Sequence, residues 1–451
     1  MRGITCRCNI TASVRNTGWW LQAPRPCSSA MTGTRSRPAT RSTSRSAPIT
    51  RLATTPMIRS LSLRYRWDPI SARMISLGSA TPTNAEAEHR GRTKTTCFCF
   101  VSAGANAKSR GTRCISRSKM FNPAISKLTA PPVSVVQDWR ASYDGRLGEL
   151  IDMSQAVPGY AAHPEMTAAL EKAAANPNSA RYGRVEGDLE LRDAYAAHLG
   201  AFYDASPVAE EIHITSGCNQ AFVAAVLAVA GHGDEILMTR PCYFNHESAL
   251  GMLGVGISYI DCHAANGMLP EIADIEAAIG ANTRAVAIVS PNNPCGSIYP
   301  PELLDEIFSL CKARGIWLIL DETYRDFLPE ADARPHGLLA RDGWQDTLVQ
   351  LYSFSKSYCM PGHRLGAVTA GSAFVDELAK IIDNIQICAP RTPQIAVTPM
   401  LASLAGWREE NRQRIAARST LFSDVMVELD GWELLSTGAY FGYVRHPSAA
   451  P

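Results

Sequence analysis

A chain of 451 residues, 46% of them hydrophobic, is far longer than a peptide or a disulfide-stapled mini-domain. Its net charge of +2 excludes a generally basic nucleic-acid binder. The longest apolar run, Ala221–Ala230, is half of the roughly 20 residues a membrane-spanning helix needs.

The charge is unevenly spread. Residues 1–119 hold 18 Arg and 3 Lys against 3 acids, a net +18, while residues 120–451 hold 23 basic and 39 acidic residues, a net −16. The first segment also contains 32 Ser and Thr and shows no sustained apolar period. Such a composition buries too little surface to offset the ordering entropy, so disorder is expected over 1–119. A nucleic-acid-binding arm and a transit-type leader directing the chain to mitochondria are the alternatives. The reading preferred is sequence not selected to fold, lying upstream of a start at Met120. Cys6-Arg7-Cys8 and Cys97-Phe98-Cys99 lack a second ligand pair at zinc-finger spacing, so no metal is expected. The seven later cysteines are scattered singly, which suits free thiols in a reducing compartment such as the cytoplasm.

After Met120 short β-rich runs alternate with amphipathic helical patterns. Strands are predicted at Ile212–Thr215, Glu235–Thr239, Ala285–Val289, Trp317–Leu320, Leu348–Tyr352 and Gly366–Thr369. Helices are predicted at Asn219–Ala230, Pro301–Arg314 and Ala373–Ile387, with Leu401–Asp430 largely helical and Trp432–Val444 turn and strand. The alternation implies an α/β fold with a mostly parallel sheet covered on both faces. Ligands bind at the carboxyl ends of such strands. Those ends carry Ser216-Gly217-Cys218-Asn219, Ser290-Pro291-Asn292-Asn293, Asp321-Glu322-Thr323-Tyr324 and Ser353-Phe354-Ser355-Lys356.

A small-residue turn opening directly into a helix suits an anion, because backbone N–H groups and the helix N-terminus both face it. A plain tight turn is the alternative for Ser216-Gly217. Only five lysines follow residue 119, and Lys356 alone comes straight after an apolar strand. A partly desolvated lysine beside cations becomes a nucleophile toward carbonyls, although a strand-capping lysine looks the same in sequence. In a site with a lysine Schiff base, a carboxylate such as Asp321 keeps a pyridinium nitrogen protonated. Asn293 and Tyr324 could hydrogen-bond a ring oxygen, and Tyr243 offers a face for stacking. Together these residues describe a pyridoxal phosphate site.

From about Leu128 onward the chain resembles the class I/II aminotransferases, the pyridoxal-phosphate enzymes of fold type I. The matching stretches are Ser216–Ala221, Pro291–Gly296, Asp321–Tyr324 and Ser353–Lys356 running on to Pro361–Gly366, with Arg364 eight residues beyond the lysine. The resemblance implies that Lys356 forms the Schiff base and shuttles a proton, that Asp321 pairs with the pyridine nitrogen, and that Asn293 and Tyr324 hold the ring oxygen. It further implies that Tyr243 stacks and that Ser216, Gly217, Cys218, Ser353, Ser355 and Arg364 hold the phosphate. Tyr182 would join them from a second copy of the chain in a homodimer, and the Ala156–Tyr160 loop, with Pro158 and Gly159, would lie over the substrate beside Asn293.

The implied organisation is an N-terminal segment and covering loop at 120–175, a cofactor-binding large domain at 176–385, and an incomplete small domain at 386–451. Family members continue past the equivalent of Tyr440–Val444 to an arginine that grips the substrate carboxylate. Arg445 is not assigned that role, and Arg391 is read as a structural salt bridge. The activity implied is transfer of an amino group from an amino acid to a 2-oxo acid. A C–S lyase or related enzyme of the same fold, or an inactive truncated relative, are the alternatives, and no nucleic acid or membrane partner is expected.

Overall fold

The computed structural model describes residues 121–146, 148–330 and 334–446. The expectations for 1–119, Met120 and the last five residues lie outside them. The core is a seven-stranded sheet: β1 (Ile212–Thr215), β2 (Glu235–Arg240), β3 (Gly256–Asp261), β4 (Thr283–Val289), β5 (Trp317–Asp321), β6 (Leu348–Ser353) and β7 (Gly366–Thr369), in the order β1-β7-β6-β5-β4-β2-β3. β2 to β6 pair in parallel, and β7 alone runs the other way, antiparallel to both β1 and β6.

The predicted α/β class and all six predicted strands are present. β3 was not anticipated. It is an edge strand with mostly half-buried residues, and its mixed Gly-Ile-Ser-Tyr-Ile-Asp lacks the continuous apolar run that marks the central strands. The helical stretch expected over Leu401–Asp430 is divided at Leu404 between Arg391–Ser403 and Ala405–Glu428; Pro399 lies inside the first of these. The turn and strand expected over Trp432–Val444 form an antiparallel hairpin, β8 (Glu433–Gly438) with β9 (Phe441–Arg445), which runs one residue further.

Burial follows the strand period of two. Leu318 and Leu320 of β5 pack with Leu304, Ile307 and Phe308 of helix Pro301–Arg314. Ile319, between them, points to the other face and joins Phe222, Leu378 and Ile382 of the two helices there. Helix boundaries follow local chemistry: Pro301 occupies the first turn of Pro301–Arg314, where its missing N–H costs nothing, and Gly315 ends it at φ 64°.

Topology delivers the predicted residues to one edge. Since β1 and β6 are both antiparallel to β7, they share a direction, so β1, β2, β4, β5 and β6 all end on the same side. Gly366 at the start of β7 is registered with both Thr215 and Ser353. Arg364 therefore arrives beside the two turns that follow β1 and β6. The approach is tight, because a Cβ on Gly366 would lie 2.8 Å from the Gly217 carbonyl carbon and 2.9 Å from Cys218 N.

Leu318 is fully buried at the centre of this sheet. Leu318→Ala is expected to lower the unfolding free energy by about 2–5 kcal/mol through lost transfer energy and the cavity left behind. A urea midpoint equal to that of wild type would contradict the packing described.

Candidate active site

The edge opens into a cavity. Its wall contains Cys218, Tyr243, Asn293, Asp321, Tyr324, Ser353, Ser355, Lys356 and Arg364, nine of the residues singled out from sequence, together with Asn219, Val289, Thr323 and Pro361. Most lie at a strand end or in the turn or helix that follows it, while Pro361 and Arg364 lie ahead of β7.

Asp321, the last residue of β5, is buried. Burial alone would push its carboxyl up. The contact with His246 and hydrogen bonds from Thr323 outweigh this and hold it below the usual carboxylate range. Thr323 donates from Oγ1 at 2.7 Å and from N at 2.9 Å, and His246 Nε2 lies 3.4 Å from Oδ2. His246 was not anticipated. It sits three residues past Tyr243 in the first turn of helix Phe244–Leu253, stacked on Phe222 with ring centroids 3.7 Å apart. A lone histidine in a helical pattern carries no signal of the carboxylate beneath it.

Lys356 lies in a single helical turn, Phe354–Ser357, whose N-cap Ser353 accepts a hydrogen bond from Ser355 N. Burial and then the Arg364 guanidinium push its amine down to about 8, opposed by Asp321. Its Nζ is 5.8 Å from the Tyr324 ring centroid. Burial raises the Tyr324 phenol well above its ordinary range, so it stays a donor. Tyr243 donates to Asn219 Oδ1 at 3.4 Å and accepts from Asn245 Nδ2 at 2.7 Å.

An anion has a cradle here. Gly217 takes φ 85° as the N-cap of helix Cys218–Val229, and the first N–H groups of a helix have no intrahelical acceptor. A Cβ on Gly217 would fall 2.4 Å from Arg364 Nη2, so the bare backbone is what lets the guanidinium in. Ser216 Oγ and Ser355 Oγ are buried without hydrogen-bond partners. Unpaired buried hydroxyls, helix N–H groups and a guanidinium converging on one pocket form a donor set that fits a phosphate.

Five singled-out residues are not in this wall; Ser216 and Gly217 come just before Cys218, which is. Tyr182 is exposed, at 77%. Pro158 is half-buried and Gly159 exposed, on a loop tied down through Tyr160, whose carbonyl accepts from Cys359 Sγ at 2.8 Å and whose hydroxyl is 3.0 Å from Tyr440 Oη. Arg391 makes the expected salt bridge, to both Asp188 oxygens. Arg445 pairs with Glu433 across the hairpin. Among the described residues no group of three or more His, Cys, Asp or Glu could hold a metal, and no helix is long and apolar enough to cross a membrane.

A family model described as aminotransferase class I and II matches residues 149–450. The chain belongs to this family. It is 32% identical over 260 residues to the aromatic aminotransferase ISS1 of Arabidopsis thaliana, covering 56% of this chain and 64% of that one. With a valine–pyruvate aminotransferase of Mycobacterium tuberculosis it shares 30% over 325 residues, 69% of this chain and 80% of the relative. The match thus spans a little under two thirds of the Arabidopsis relative. Among solved structures, the Thermus thermophilus aspartate aminotransferase with maleate superposes at a TM-score of 0.65 and 21% identity, over 72% of this chain and 84% of that one. The Rhizobium meliloti aspartate aminotransferase gives 0.66 at 20% identity, over 71% and 80%. These likenesses establish the fold of this family member.

The depressed Lys356 amine has a consequence for stability. Its folded value of about 8 lies below the roughly 10.4 of an unfolded lysine, so between these limits the unfolded state binds more protons. Stability contributed by this group therefore rises with pH from about 8 to about 10. Lys356→Met is expected to remove that rise in urea unfolding of the cofactor-free chain and to be the more stable protein at pH 7. An unchanged slope would contradict the burial of the amine.

Proposed function

We propose that this protein is a pyridoxal 5′-phosphate-dependent aminotransferase that moves an amino group from an amino acid to a 2-oxo acid. The observation that carries the reading is the convergence, in one cavity, of a depressed lysine amine, a buried ionised carboxylate and an unpaired anion cradle. Family membership supports it, as do the aminotransferase names of the relatives. When bound, pyridoxal phosphate supplies a carbonyl carbon that accepts amines and a pyridine ring that accepts electron density.

The chain's own groups divide the remaining work. Backbone N–H groups of Gly217 and Cys218, with Ser216, Ser353, Ser355 and Arg364, would hold the phosphate. Asp321, kept ionised by His246 and Thr323, would hold a proton at the ring nitrogen, while Asn293 and Tyr324 would hold the ring oxygen and Tyr243 would stack. Lys356 has a substantial neutral fraction near pH 8, so its Nζ can act as nucleophile and then as proton carrier at the substrate α-carbon. The loop with Pro158 and Gly159 would cover the substrate, with Asn293 beside it. Tyr182, exposed on one copy, would complete the phosphate site of a second copy in a homodimer. A cytoplasmic location is part of the same reading, and the scattered free thiols support it.

Borohydride reduction of the full chain with pyridoxal 5′-phosphate should fix the label on Lys356 by peptide mapping, and Lys356→Ala should take none. Asp321→Ala should keep the label yet lose turnover on the order of 10²–10³-fold. Recovery of an oxo acid and a new amino acid supports transamination, whereas ammonia with pyruvate would transfer the assignment to a lyase.

The dimer has its own test. Tyr182→Ala and Lys356→Ala, each expected to be deficient, should regain about a quarter of wild-type activity when unfolded and refolded together, because half the random dimers are mixed and each mixed dimer has one whole site. No recovery would refute sharing of Tyr182.

A further inference from the structure

Beside the lysine-bearing turn lies a second polar cluster, made of residues that do not line the cavity. Asp326, in the turn Arg325–Phe327 that follows Tyr324, has a side chain only 6% exposed. Its Oδ2 accepts from Tyr352 Oη at 2.6 Å, and Tyr352 Oη is 2.5 Å from Ser357 Oγ. The single phenolic proton is committed to the carboxylate, so Ser357 must be the donor in the second bond. Oδ1 accepts from Arg408 Nη1 at 3.1 Å, on the long helix Ala405–Glu428. The Arg325 guanidinium carbon sits 3.9 Å from the Tyr352 ring centroid, while its Nη1 and Nη2 donate to the hydroxyls of Tyr203 and Tyr195.

Tyr352 and Ser357 bracket the segment Ser353–Lys356. It overlaps the helical turn Phe354–Ser357, whose four residues are too few to hold their shape alone. A single carboxylate thus gathers both ends of the turn that aims Lys356 and ties them to a distant helix. Resting on the reading of Lys356 as the reactive amine, we propose that Asp326, acting through Tyr352 and Ser357, is the positioning residue that holds Lys356 in its desolvated pose in the cavity.

The test is competitive acetic anhydride labelling of Lys356 against pH, read by mass spectrometry on the full chain freed of cofactor. Tyr352→Phe removes one hydroxyl and leaves the Asp326–Arg408 pair intact. A loosened turn exposes the amine, and its labelling midpoint should rise by about one pH unit or more toward the ordinary lysine range, cutting the rate at pH 8 about fivefold. Asp326→Asn should shift the midpoint the same way. Direct Coulomb action would do the opposite, because removing a nearby carboxylate lowers an amine's pKa. Tyr203→Phe, which loses a buried hydroxyl bonded to Glu322 and Arg325 without touching Ser357, is the control expected to melt lower with no midpoint shift.

An unmoved midpoint in Tyr352→Phe alongside a lowered melting temperature would overturn the proposal and leave the cluster purely structural. A midpoint that falls in Asp326→Asn would overturn it in favour of direct charge. Ser357→Ala, which cuts the last link only, stands in if either variant fails to fold. Failure of borohydride to label wild-type Lys356 would defeat the cofactor reading, and the labelling comparison between variants would still decide this one.

Discussion

A carboxylate at the buried end of a central strand sets the terms for everything around it. Asp321 is flanked in register by Val289 of β4 and Leu351 of β6, neither of which can answer a charge. Burying an unpaired ion costs several kcal/mol, so the fold brings compensation from outside the sheet. His246 comes from the helix after β2, and Thr323 closes back from the next turn. The compensation keeps the charge rather than neutralising it.

The opposite pressure acts on Lys356. It receives burial and a neighbouring guanidinium, and only partial relief from Asp321. Two groups of opposite sign are thus pushed in useful directions within one cavity, the acid held ionised and the amine partly neutral. Divergence of this kind is how one pocket supplies both a fixed charge and a mobile proton near neutral pH. The free energy that maintains it comes from the sheet and from the aromatic and ionic packing beneath the lysine turn.

Much of this was legible in the chain alone because the signals are local. The apolar runs of β4, β5 and β6 are buried on both faces and read as strands without neighbours to help. Eight of the singled-out residues that line the cavity lie at or just after strand ends, which is where an α/β sheet binds ligands, and the ninth, Arg364, lies ahead of β7. β3 escaped notice because an edge strand needs no continuous apolar run. Glu322 illustrates a further limit. It neighbours Asp321, yet the strand period sends it to the other side, where it accepts from Tyr203 at 2.7 Å in a closed polar cluster.

By itself the sequence determined the α/β alternation and singled out the lysine, the carboxylate and the turn proposed for an anion, since each rests on spacing within a few residues. Only the tertiary structure decided which groups face one another across long separations. His246 under Asp321, Arg364 against the bare backbone of Gly217, and Asp326 gathering Tyr352, Ser357 and Arg408 all join segments brought together by sheet order and helix packing. Such contacts leave no periodic trace in the chain. Their energetics depend on burial, which belongs to the folded molecule and not to any local stretch of it.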